Sequence, residues 1–207
     1  MAAGVGHRVP TGVVLAAGRG TRMGGPKAEL VVDGERLMDR AVRLLAAAGC
    51  EPVCVIGRPE FSYPEVLVWW PDDLEAGLRT TLETALTLAV PAVTTTDDDP
   101  VAVMLVDQPG LTADGTRSVV AAWRPGRIAI GVIGGQRVHP VVMAARLWRE
   151  AIAMAGPDEG ARRFLATHPE LVDEVEVPGD PADLDTPEDV ARWSADRAQP
   201  PGPTQQV

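Results

Sequence analysis

Four apolar residues, Val13, Val14, Leu15 and Ala16, run directly into a loop that carries Gly18, Gly20, Gly24 and Gly25 together with Arg19, Arg22 and Lys27. A short buried strand followed by a turn is the simplest reading of this stretch. Glycines at this spacing let the backbone curl and leave amide N–H groups uncovered, and the three cations suit a bound oligophosphate. Two well-known phosphate loops are excluded. A P-loop places Gly-Lys and then Ser or Thr after the fourth intervening residue, whereas the chain after Gly20 reads Gly25, Pro26, Lys27, Ala28. A G-x-G-x-x-G dinucleotide fingerprint begun at Gly18 and Gly20 meets Met23 at its third glycine.

An oligophosphate on this chain needs a local cationic site, because the 207 residues carry a formal net charge of -10. That excess disfavours nonspecific nucleic-acid and anionic-membrane binding and points to small-molecule partners. Cys50 and Cys54 are too few for a disulfide framework or a four-ligand zinc site, which fits a reducing cytoplasm. No run approaches the ~18 apolar residues of a membrane span, and the first ten residues lack an apolar signal core.

Alternating strand and helix patterns follow the loop. Leu30–Val32 with Asp33-Gly34 reads as an extended piece and turn, Leu37–Ala48 as an amphipathic helix stopped by Gly49, and Val53–Ile56 and Val66–Trp70 as strands. A helix is expected over Leu78–Leu88, a solvated loop at Thr94–Pro100, and a buried strand at Val101–Val106 that ends in Asp107-Gln108-Pro109. Further on, the spacing predicts a helix over Thr112–Trp123, a strand over Arg127–Val132, a short extended piece at Val141–Ala144, helices over Arg146–Ala155 and Gly160–Thr167, and a strand over Val172–Val177. Thr186 and Pro187 open a last helix as N-cap and first helical residue. One domain over residues 1–198 and a disordered tail over 199–207 are expected. The alternation indicates a mainly parallel sheet covered on both faces.

Asp107 is the strongest catalytic candidate read from position. A carboxylate leaving a buried strand at the ligand edge of such a sheet can hold Mg²⁺ against phosphate oxygens; a plain turn-capping Asp is the alternative. Hydrolytic serine chemistry is disfavoured, since Ser62, Ser118 and Ser194 stand in no G-x-S-x-G. Cys50, Cys54 and the tryptophans Trp69, Trp123, Trp148 and Trp193 read as packing.

The glycine loop resembles the signature of molybdenum-cofactor nucleotidyltransferases at Leu15, Ala16, Ala17, Gly18, Gly20, Arg22, Met23, Gly24 and Lys27. Asp107, Gln108, Pro109 and Leu111 match that family's D-Q-P-x-L. The resemblance implies an α/β fold, a Rossmann-like three-layer nucleotide-diphospho-sugar transferase fold with a mainly parallel sheet. It also implies a Mg²⁺-dependent transfer of a nucleoside monophosphate, CMP from CTP in the branch resembled, to molybdopterin. Arg22 and Lys27 would hold the phosphates. Leu15, Ala16, Ala17, Gly18, Gly20, Gly24, Gly77 and Thr81 would hold the nucleotide, and Asp107 with Asp183 or Asp185, Asp183 slightly preferred, would hold the metal.

Other matches are looser. Gly77, Leu78, Thr80, Thr81 and Leu82 resemble a G-M…S-S-L nucleotide segment, with Trp70 where an Asn is often found. His139-Pro140, with Val138 in place of a glycine, resembles an acceptor-side G-H-P in which a neutral His139 would donate to a phosphate or pterin. Gly160, Ala161 and Arg162 match a G-A-R that contributes Arg162 to the acceptor. Glu188 and Asp189 read as charges favouring a helix N-terminus. Two other functions share parts of this pattern: transfer to a sugar phosphate or another phosphorylated metabolite, and noncatalytic binding of nucleotide or cofactor.

Overall fold

The structure, a computed structural model, describes residues 8–58, 66–70, 77–94 and 96–198. Strand β1 (Thr11–Leu15) leads through the glycine loop to a small hairpin of β2 (Val31–Val32) and β3 (Glu35–Arg36), turned by Asp33-Gly34 as expected. Helix α1 (Leu37–Ala47) buries Leu37, Met38, Ala41, Leu44 and Leu45, the stripe its spacing encodes. Strands β4 (Val53–Ile56) and β5 (Leu67–Trp69) follow.

Helix α2 (Gly77–Thr84) continues through a π-helical turn (Ala85–Ala89) into α3 (Val90–Val93), so the helical run passes the expected end at Leu88. Pro91 lies in the first turn of α3, where a missing N–H costs least. Then come β6 (Pro100–Leu105), α4 (Ala113–Ala122) capped by the Thr112 hydroxyl, β7 (Ile128–Ile133), β8 (Gln136–Ala144), α5 (Ala145–Met154), α6 (Arg162–Thr167), β9 (Val172–Glu176) and α7 (Pro187–Ala198).

Strands line up in the order β5-β4-β1-β6-β8-β7-β9. All pairings in this sheet are parallel except those of β8, which runs antiparallel to both β6 and β7. Alternate residues face opposite layers. Val13, Leu15, Val101, Val103 and Met143 pack on Leu82, Leu86, Trp148 and Phe164, while Val14, Ala102, Met104 and Val142 pack on Met38, Leu45 and Val119. The three-layer, mainly parallel architecture expected is the one observed. Cys50 and Cys54 are buried in these layers, and burial pushes their thiols up to about 12 and about 11.

Strand β8 departs most from expectation. A short piece at Val141–Ala144 was the reading; the strand begins at Gln136, hairpinned to β7 through Gly134 (φ 57°) and Gly135 (φ 84°). Positive φ at both turn residues matches the twist of the flanking strands. The pairing shifts register between Ile130↔Val141 and Gly131↔Val138, so His139 and Pro140 sit in an irregularity. A proline inside a strand pattern hides the strand from sequence reasoning, and bulges of this kind re-aim a side chain beside a site. Val138 fits because Gly131, its partner, has no side chain to meet it.

β1 connects to β4 on one side of it, and β6 lies on the other, with α1 and α2 on opposite faces. The chain after β1 goes on to β4 on one side and the chain after β6 to β7 on the other, so the two loops part along the sheet and open a crevice at their carboxyl ends. The segment carrying Asp183 and Asp185 crosses that crevice. It is held by Leu184 N–H to the Asp107 carbonyl (2.9 Å), by Asp180 N–H to the Gly110 carbonyl (3.2 Å), and by the burial of Leu184 with Val32, Leu37 and Trp193. The residues after 198, including the expected tail, lie outside the described residues.

A side chain at Gly110 would overlap the Asp180 carbonyl. Gly110→Ala is expected to cost about 1–3 kcal/mol, as small-to-large changes in tight contacts do. Urea denaturation would show a lowered midpoint, and an unchanged midpoint would contradict this packing.

Candidate active site

The glycine loop is built from its own backbone. The Gly20 carbonyl accepts from Met23 N–H (2.8 Å) and Gly25 N–H (3.2 Å), closing a tight turn. Gly20 has φ 59°, and a Cβ there would overlap the Gly25 carbonyl, so only glycine fits. Ala17 and Gly18 N–H have no backbone partner among the described residues. They border a cavity of about 390 Å³ lined by Leu15–Thr21, Lys27, Gly77, Leu78, Thr81 and Asp107.

A second cavity of about 380 Å³ adjoins it. Its floor is apolar, with Leu82, Ile130, Val141, Trp148 and Leu165, and its polar wall carries Gln108, Arg137, His139, Arg162, Asp183 and Asp185. Leu15, Leu78, Leu105, Asp107 and Asp158 line both cavities, so Asp107 stands where the two compartments meet.

Lys27 crosses this junction. Its Nζ is ion-paired with Asp185 Oδ1 and lies 3.5 Å from Asp107 Oδ2. The Lys27 and Asp107 side chains are only 19% and 22% exposed, so the interaction is less screened than a surface pair. Asp185 is set from the other side by the start of α7. Asp189 Oδ2 accepts from Asp185 N–H (3.1 Å) and Thr186 N–H (2.9 Å), and Asp189 N–H donates back to the Thr186 hydroxyl (3.3 Å), a reciprocal N-terminal cap. The Thr186 hydroxyl and the backbone donors hold the Asp189 carboxyl below its ordinary range. Asp189 thus does the structural work expected of it.

Gln108 is the connecting residue that sequence matching quoted without a role. It is buried, its Oε1 accepts from His139 N–H (2.9 Å), and its side chain is near enough to Asp183 to favour that carboxyl's charged form. Partial burial pushes the Asp183 carboxyl up, with Asp107 and Asp185 adding to the rise as like charges; the Gln108 side chain and His139 oppose it.

His139 Nδ1 lies 3.2 Å from the Val103 carbonyl. A carbonyl can only accept, so Nδ1 carries the proton. Burial lowers the imidazole pKa against the pull of Asp107, the Val103 carbonyl and Asp183. The neutral ring then has Nε2 as a lone-pair acceptor. The expectation that a neutral His139 donates to a phosphate is therefore corrected: the ring can accept a hydrogen bond from an N–H or O–H, and it would have to be protonated to donate from Nε2.

Other expected residues are placed less centrally. Arg22 is exposed on the 3-10 turn Thr21–Met23, lines neither cavity, and has no ionic or hydrogen-bond partner among the described residues. Arg19 is the loop arginine that lines the first cavity. Gly24 shapes the turn with φ 78° without lining it. Thr81 is buried and its hydroxyl donates to the Gly77 carbonyl (3.1 Å). Arg162 is exposed at the second cavity, and Arg137 beside it is paired with Glu174 (2.7 Å). Leu74–Ala76, which lead into the expected nucleotide segment at Gly77, lie outside the described residues. Asp158, two residues before the matched Gly160-Ala161-Arg162, lines both cavities and was not singled out from the sequence.

The donor set suits a hard divalent ion shared with a ligand. Asp107 Oδ1 is buried with no hydrogen-bond partner among the described residues. No group of three His, Cys, Asp or Glu surrounds one point among those residues. One or two carboxylates, with phosphate oxygens and water completing the shell, is how Mg²⁺ is commonly bound.

Comparison with known proteins places this geometry. A family model described as "MobA-like NTP transferase domain" matches residues 12–173. The chain is 31% identical over 201 residues to nicotine blue oxidoreductase of Paenarthrobacter nicotinovorans, covering 88% of this chain and 95% of that protein. It is 36% identical over 121 residues to a probable molybdenum cofactor guanylyltransferase of Opitutus terrae, covering 58% of each. Among solved structures, Rv0371c of Mycobacterium tuberculosis H37Rv superposes with a TM-score of 0.74 at 24% identity, covering 89% of this chain and 97% of that one; it has also been solved in complex with manganese.

The loop turn offers a direct test of the cradle. Gly20→Ala is expected to weaken binding of inorganic tripolyphosphate about tenfold or more by calorimetry, a loss of one full decade of affinity. Unaltered affinity would show that the turn does not form the binding surface.

Proposed function

From its membership of the MobA-like NTP transferase family, to which the matched domain assigns this chain, we propose that it is a Mg²⁺-dependent nucleotidyltransferase that moves CMP from CTP to molybdopterin. The observation that carries this reading is the junction at Asp107, where a glycine-loop cavity meets a second cavity with an apolar floor and an arginine-bearing rim. Nucleotidyl transfer needs two substrates brought together end to end, and two adjoining compartments with a shared carboxylate supply that arrangement.

In this reading the triphosphate lies along Ala17–Gly20, and Lys27 and Arg22 neutralise its charge. Arg22 would turn inward from its exposed position when the phosphates bind. An oxygen of the acceptor phosphate attacks the α-phosphorus, the bond to the β-phosphate bridging oxygen breaks, and pyrophosphate leaves. A divalent ion held by Asp107 with Asp183 or Asp185 would neutralise the phosphate charge that develops. The apolar floor around Trp148 and Leu165 suits a heterocyclic acceptor body, Arg162 suits its phosphate, and the His139 Nε2 lone pair suits a ring N–H.

The cytidyl reading rests on the resemblance of Leu15-Ala16-Ala17-Gly18 and Asp107-Gln108-Pro109 to the cytidylyltransferase branch. A relative named as a guanylyltransferase favours GTP as the second reading. Hydride transfer, suggested only by the name of the nicotine blue relative, is disfavoured because Met23 breaks the dinucleotide fingerprint. A noncatalytic binder would have no use for a metal carboxylate at the phosphates.

Pyrophosphate release, measured with Mg²⁺, each of four nucleoside triphosphates, and molybdopterin or sugar phosphates, separates these readings. The expected result is release with CTP and molybdopterin; release with no pair would favour the binder. Asp107→Ala and Arg22→Ala should each lower turnover about 100-fold or more, the scale of a lost transition-state charge contact. Near-normal rates in both would contradict the assignment.

A further inference from the structure

We propose that Lys27 is the resident counter-ion of the Asp107–Asp185 pair in the free protein, and that a divalent metal must displace it, so that metal and oligophosphate binding are coupled through this one side chain. The inference rests on the metal-dependent reading of the site and deepens it.

Three observations carry it. Lys27 Nζ is paired with Asp185 and lies 3.5 Å from Asp107, so one cation serves two carboxylates from segments far apart in sequence. Both anchors are fixed: Asp107 lies just past the buried strand β6 and its carbonyl accepts from Leu184 N–H, while Asp185 is held by the α7 cap. Lys27 follows directly on the glycine turn, on a long side chain with three rotatable donors.

The charge balance then sets the direction of coupling. Two carboxylates at this separation repel unless a cation lies between them, and an ammonium does that in the free protein. A divalent ion placed against the same oxygens would face the ammonium as a like charge. Lys27 must leave first, and it needs an anion to go to. A triphosphate in the loop provides one, because Lys27 lines that cavity as well. Without phosphate, metal binding carries the cost of stranding the ammonium. With phosphate, Lys27 changes partners while the metal gains oxygen ligands that the protein lacks: no three-donor cluster exists among the described residues. The effect is positive cooperativity between metal and nucleotide, reciprocal by linkage.

The test reads metal binding in the absence of nucleotide. Mn²⁺ affinity of the full chain is measured by calorimetry, and the Mn²⁺-induced rise in melting temperature is recorded alongside. Lys27→Met should bind Mn²⁺ about fivefold or more tightly than the unaltered protein, the worth of one modest ion pair, and should show the larger thermal rise. Lys27→Arg, which keeps the cation, should stay within about twofold of the unaltered protein. Adding Asp107→Asn to Lys27→Met should abolish the gain, placing it at this site. Lys27→Gln gives the same neutralisation should the methionine variant fail to fold. Equal or weaker Mn²⁺ binding in the neutral variants, or no saturable binding in any protein, overturns the proposal. Absence of pyrophosphate release would instead strike the transferase reading, and it is measured independently of Mn²⁺ affinity.

Discussion

Strand β1 has a parallel neighbour on each edge and a helical layer on each face, so it can meet a ligand only at its ends, and the glycine loop leaves from its carboxyl end. Everything at the candidate site follows from that confinement. The connection from β1 turns toward α1 and β4, while the connection leaving β6 turns the other way, and the floor between them is bare backbone and small side chains. Ala16 and Ala17 are buried there with almost no bulk. A ligand can approach the main chain closely only where such residues stand.

The chain's acidity then becomes a constraint on the site rather than a background property. With a net charge of -10, anionic substrates are drawn in only by cations at short range. Arg19 and Lys27 line the first cavity, and Arg137 and Arg162 line the second. Between them the carboxylates of Asp107, Asp183 and Asp185 are brought together by the Leu184–Asp107 backbone bond and the α7 cap. Lys27 touches both sets of charges, lining the first cavity while pairing with Asp185.

How much of this was legible in the sequence depends on whether a signal was local. The glycine loop, α1, β4, the Thr112–Trp123 helix and the Thr186 cap are each encoded by neighbouring residues, and the structure matches them within a residue or two. The part of β8 before Val141 was not legible because Pro140 interrupts its pattern and Gln136 and Arg137 are exposed, whereas its identity comes from pairing with β7. The tautomer of His139 depends on the Val103 carbonyl, and the role of Gln108 on Asp183; both partners are remote in sequence. Arg22, chosen from a motif, stands outside both cavities, because a motif records residue identity and carries no information about where an exposed loop side chain rests.

The central claim is that the α-phosphoryl group of a nucleotide is passed across Asp107 from one cavity to the other. Label transfer from CTP carrying ³²P at the α-position tests this most directly. The account predicts that, with Mg²⁺ and molybdopterin, the label appears in the molybdopterin product while unlabelled pyrophosphate is released. Label that stays in CTP, or that appears only as free CMP, would contradict it.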